Sequence, residues 1–101
     1  MPPKRFHVYP DPGGNRFLVA VQSDLLSHLN TRMVIPLIPA KEAPKPASIL
    51  NPLFEIGGEP YVMVTQYMAA FPANILKNEV SDAHFRQDDV FAALDLLFRG
   101  F

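Results

Sequence analysis

The spacing of apolar positions changes once along the chain. Up to residue 73 they recur mostly at every second position or in short runs, and beyond residue 82 they recur every three or four. The first period suits strands, whose side chains alternate between faces, and the second suits a helix. Residues 5–9 set Phe6 and Val8 on one side and Arg5, His7 and Tyr9 on the other, which predicts a half-buried strand. Residues 10–15 contain two prolines, an aspartate and two glycines, a loop composition that predicts a hairpin to the next strand. In residues 16–21, Phe17, Val19 and Val21 continue the period of two while Leu18 and Ala20 make the other face apolar, so this strand is expected to be covered on both sides.

Residues 32–38 are nearly continuously apolar except for Pro36. Proline cannot donate to a sheet ladder, so the strand is expected to bend at a bulge or turn that position away from a neighbour, as a strand shared by two sheets would. Residues 40–48, with Pro44, Pro46, Lys41, Glu42 and Lys45, read as a surface loop. Residues 53–56 and 61–66 flank Gly57, Gly58, Glu59 and Pro60 and predict a second hairpin. Residues 68–73 add a short extended piece limited by Pro72. The predicted order is about five short strands, mostly antiparallel, followed by one helix.

That helix is read over residues 82–101, with Ser81 or Asp82 as its cap. Val90, Ala93, Leu94, Leu97, Phe98 and Phe101 fall on one broad face, with Phe91 at its margin, and Asp88, Ala92, Asp95 and Arg99 fall on the other. A face that wide exceeds what one side of a small sheet needs, so a second copy of the chain is expected to cover part of it. Asp95 and Arg99 have the favourable order for an ion pair four residues apart. Arg99 suits the negative end of the helix dipole, and Gly100 stands where a left-handed residue commonly ends a helix. The tip Arg99, Gly100 and Phe101 is then either an ordinary cap or a surface offered to a partner.

A length of 101 residues makes one domain with a modest core. With 49% hydrophobic and 19% charged residues the chain is not disordered, and a net charge of −1 does not supply the basic surface that nucleic-acid binding needs. There is no cysteine, hence no disulfide framework or thiol nucleophile. Neither a signal peptide nor a membrane span is read, and the expected location is cytoplasmic. His7, His28 and His84 lack the close spacing of metal ligands, and Gly57 and Gly58 lack the following Lys-Ser or Lys-Thr of a phosphate loop. Ser23 beside Asp24 has no glycine-flanked elbow and reads as a turn cap. Met63 and Met68 read as core. Leu25 and Leu26 form an apolar pair in a polar stretch, and either plug the end of the core or stand as an exposed patch.

From about Arg5 onward the chain resembles the CcdB family of toxins from bacterial toxin–antitoxin modules. The resemblance lies in Val21-Gln22-Ser23-Asp24-Leu25-Leu26, in Thr31-Arg32-Met33-Val34-Ile35-Pro36-Leu37, in Ile56, Met63, Thr65, Met68, Ala69 and Pro72, and in Arg86, Ala93, Leu96, Phe98 and Gly100. It implies an α+β, mainly β fold: an antiparallel sheet, a smaller second sheet and a C-terminal helix in an SH3-like barrel, assembled as a homodimer. It also implies a non-enzymatic toxin without cofactor that binds the A subunit of DNA gyrase and traps the cleaved-DNA complex, until a CcdA-like antitoxin releases it. The gyrase-facing positions of the family map onto Ser23, Leu25, Leu26, Asp95, Arg99, Gly100 and Phe101. Two of them depart from the best-known pattern, which has a tryptophan where this chain has Arg99 and an asparagine where it has Asp95. A tryptophan would stack on an arginine of gyrase, a cation–π contact worth roughly 0.5–2 kcal/mol, whereas Arg99 would repel that arginine. The alternatives are an attenuated or non-toxic relative that keeps the antitoxin surface, and an endoribonuclease toxin of the same fold, for which Arg5, Arg16, Arg32 and Arg86 offer scattered basic material.

Overall fold

The computed structural model describes residues 2–101. Its strands are β1 (His7–Pro10), β2 (Phe17–Ala20), β3 (Thr31–Pro39), β4 (Leu53–Ile56), β5 (Glu59–Met63), β6 (Ala69–Pro72) and β7 (Ser81–Asp82), and they precede a single helix, α1 (Gln87–Arg99). All pairings are antiparallel, in the order β4-β5-β3-β2-β1-β7 with β6 also on β3. The sheet curls into a nearly closed barrel with α1 at its end, the mainly β architecture expected from the sequence.

Pro36 explains how one strand serves several neighbours. Along one edge β3 pairs with β2; along the other, Thr31 to Val34 pair with β6 and Leu37 to Pro39 pair with β5. The Pro36 carbonyl accepts from the Val64 amide at 3.0 Å, so its donor-less nitrogen faces this second edge, in the gap where β6 gives way to β5. The Val64 carbonyl on that edge accepts from the Tyr67 amide instead. The two faces of β2 divide as the alternation predicts: Val19 and Val21 enter one core with Phe6, Val8, Ile35, Leu37 and Met63, while Leu18 and Ala20 enter another with Tyr9 and Val34. The hairpin β4–β5 turns through Gly57 and Gly58 at φ of 61° and 82°, a backbone that glycine adopts without steric cost. Met68 packs against the first core.

Three local expectations are corrected. The helix begins at Gln87, not at residue 82, because Ser81 and Asp82 pair with Val8 and His7 and the Ala83 amide donates to the Phe6 carbonyl. Neither residue caps α1; the Asp82 carboxylate accepts from the His84 amide at 2.9 Å and starts the short turn His84–Arg86. Residues 65 and 66, read as the end of a strand, belong to the helical turn Thr65–Tyr67, so β5 ends earlier than the apolar run suggests, and it also starts earlier, at Glu59. Phe6 precedes β1 rather than belonging to it. Its backbone is left-handed (φ 68°), held by its amide on the Ala20 carbonyl and by the Ala83 amide on its own carbonyl. Its ring meets Phe91 and His84 edge-on at 5.5 Å.

Candidate functional site

Leu25 and Leu26 do not plug the core. They lie on the helical turn Asp24–Leu26 between β2 and β3, exposed by 88% and 43%, and Leu29 beside them is 43% exposed. Ser23 caps this turn, its hydroxyl accepting from the Leu25 amide at 3.2 Å. The Asp24 carboxylate accepts from the Arg5 amide at 3.0 Å. Three uncovered leucines on one turn form the kind of apolar patch that meets a partner.

At the other candidate surface, Val90 and Ala93 are the residues of α1 that are fully buried; Phe91, Leu94, Leu96 and Leu97 are half-buried, and Phe98 and Phe101 are exposed. The predicted apolar face is therefore buried at Val90 and Ala93, partly covered through Leu97 and open at Phe98 and Phe101. Gly100 closes the helix at φ 82°, its amide donating to the Asp95 and Leu96 carbonyls. Arg99 Nη1 lies 3.8 Å from Asp95 Oδ1, and the guanidinium sits over the Phe101 ring at 4.7 Å. No hydrogen bond from the Arg99 guanidinium occurs among the described residues, so its donors remain available.

The two surfaces belong to different ends of the chain, and among the described residues no hydrogen bond or ion pair joins the Leu25 turn to residues 95–101. Arg5, which the sequence sets on the polar side of a strand and among scattered basic residues, reaches from the Leu25 turn to Phe91 on α1 and not to the tip. Its amide holds Asp24, its Nε donates to the Val21 carbonyl at 3.2 Å, and its guanidinium lies 4.8 Å from the Phe91 ring on α1. Arg86 performs the matching task at the start of α1. It pairs with Asp89 at 2.7 Å, donates to the Leu53 carbonyl at 2.8 Å and stacks on Phe54 at 4.4 Å. Arg32 is buried against backbone carbonyls. Three of the four arginines considered as a basic groove are thus committed to the fold.

None of the seven candidate residues lines the clefts against residues 46–53 and the start of α1, against residues 30–31 and 72–74, or against residues 39–42 and 59–61. An exposed, apolar-and-charged tip outside the clefts suits a macromolecular partner better than a small molecule, which needs a concave site. Among the described residues there is no cluster of three metal-ligating side chains, and no helix is long and apolar enough to cross a membrane. The family model described as CcdB protein matches residues 5–100, nearly the whole chain, and the chain therefore belongs to the CcdB family.

Proposed function

We propose that this chain is the toxin of a toxin–antitoxin module, that it binds the A subunit of DNA gyrase, and that it traps gyrase on cleaved DNA without catalysing a reaction itself. Membership of the CcdB family carries this reading, since the family implies a toxin acting on gyrase. The exposure of Leu25, Leu26, Phe98 and Phe101 supports it, because large apolar groups left in water on a small domain suit contact with another protein. The gyrase-binding residues are Ser23, Leu25, Leu26, Asp95, Arg99, Gly100 and Phe101. A second copy covers the outer face of α1 around Phe98, and a CcdA-like antitoxin neutralises the toxin in the cytoplasm, where gyrase works.

Poisoning follows from linkage. A protein that binds the cleaved, open form of gyrase more tightly than the resealed form shifts the population toward cleavage in proportion to that difference. Arg99 at the tip favours a second outcome, attenuated toxicity, against any gyrase that presents an arginine there; a gyrase that presents a carboxylate or an aromatic ring would accept it. The deciding assay is DNA cleavage by gyrase from the source organism with purified wild type, Arg99→Trp and a truncation lacking Gly100 and Phe101. Linear DNA with the wild type but not with the truncation supports poisoning through the tip. Linear DNA with Arg99→Trp alone identifies an attenuated relative, and none with any variant rejects the proposal.

A further inference from the structure

Arg32 is only 4% exposed, and no acidic side chain pairs with it among the described residues. A buried guanidinium without a counter-ion needs its donors satisfied by other means. Here backbone carbonyls do so. Nη1 donates to the Leu29 carbonyl at 2.6 Å and to the Thr31 carbonyl at 2.9 Å, and Nη2 donates to the Ser27 carbonyl at 2.9 Å. The Ser27 and Leu29 oxygens belong to the segment that carries Leu25, Leu26 and Leu29, and the Thr31 oxygen stands where that segment enters β3.

The rest of that segment is closed in the same way. Leu26, Ser27 and Leu29 donate to the carbonyls of Ser23, Asp24 and Leu26, and the Asn30 carbonyl accepts from the Ala73 amide. Gln22 shuts the base, its Nε2 donating to the Thr31 carbonyl and its Oε1 accepting from the Met33 amide, both at 3.1 Å. From Ser23 to Thr31, the carbonyls of Leu25 and His28 are the ones without a protein donor among the described residues. A connection whose carbonyls are nearly all bonded, yet whose leucines face water, is held by hydrogen bonds and not by core packing. An exposed anchor held in one conformation does not lose that freedom again on docking.

We propose that Arg32, with Gln22 closing the loop, is a positioning residue that holds the Leu25–Leu29 turn in its docking conformation before the partner arrives. The proposal rests on the reading that this turn meets gyrase. A lysine at position 32 keeps the charge but offers a single donor centre that cannot reach three carbonyls in the fork geometry of a guanidinium.

The test combines hydrogen exchange on the free protein with binding to purified gyrase A subunit, for wild type, Arg32→Lys, Gln22→Ala and Leu25→Ser. In Arg32→Lys, exchange at the Leu26, Ser27 and Leu29 amides should accelerate about tenfold while the β2–β3 amides keep their protection, and affinity for gyrase A should fall about tenfold with it. Gln22→Ala should show the same pattern, and it serves in place of Arg32→Lys if that variant does not fold. Leu25→Ser should weaken binding without changing exchange. Unchanged turn exchange in both loop variants overturns the proposal, as does accelerated exchange with undiminished affinity. If the wild type does not bind, or Leu25→Ser binds normally, it is the gyrase reading of this turn that fails, and positioning for gyrase is overturned with it even where the exchange data show an ordered turn.

Discussion

The guanidinium of Arg99 rests 4.7 Å from the centre of the Phe101 ring, across the left-handed Gly100 that ends the helix. Gly100 makes this possible, since its φ of 82° turns the chain back so that residues two apart can stack. Both side chains are mostly exposed, so their contact does little for the fold. Arg99→Ala and Phe101→Ala should each leave stability within about 0.5 kcal/mol of wild type by urea titration. Affinity for gyrase A, measured by calorimetry, should fall about tenfold for each if the pair is a binding anchor.

Gly100→Ala separates backbone from side-chain effects. An added Cβ would meet no atom within 4 Å, so the cost is the left-handed backbone alone, about 1 kcal/mol. Thermal unfolding should therefore shift down by a few degrees without loss of cooperativity.

Arg86 ties the start of α1 to the edge of the sheet. Arg86→Met removes the guanidinium from over Phe54 and leaves the Leu53 carbonyl and Asp89 without their donor, and should cost about 1–2 kcal/mol in urea unfolding. Asp89→Asn, which disturbs only the exposed half of the contact, should cost at most about 0.5 kcal/mol.

Burial raises the Tyr9 phenol above its ordinary value of 10.0, and the Lys4 amide donating to its oxygen lowers it in part. Because the folded chain holds this proton more tightly than the unfolded chain does, ionisation favours the unfolded chain once its phenol starts to lose the proton. In the range above pH 10 the folded state therefore binds more protons, and stability should fall as pH rises from there. Relative to wild type, Tyr9→Phe should show a shallower decline in urea midpoint above pH 10, while being less stable near neutrality through loss of the Lys4 hydrogen bond.

The seven-stranded order was legible only in part from local pattern. Residues 16–21 announced a strand covered on both sides, and Gly57-Gly58 announced a tight hairpin, because alternation and positive φ are local properties. The strand at residues 81–82 was not legible. Two residues have no period, and their extended form comes from pairing with β1, more than 70 positions earlier in the chain. Leu25 and Leu26 could be read as core or as surface because hydrophobicity alone does not say what will cover a residue.

By itself the sequence determined the mainly β class, the helix at the end and its glycine stop, the Asp95–Arg99 pair, and the family, since each depends on neighbours in the chain or on residue identity at aligned positions. Only the tertiary structure decided that Pro36 marks a change of strand partner, that α1 is left open at Phe98 and Phe101, and that Arg32 spends its charge on the carbonyls of an exposed turn. Those outcomes depend on which distant groups arrive to accept a hydrogen bond or exclude water, and pattern along one chain does not encode that meeting.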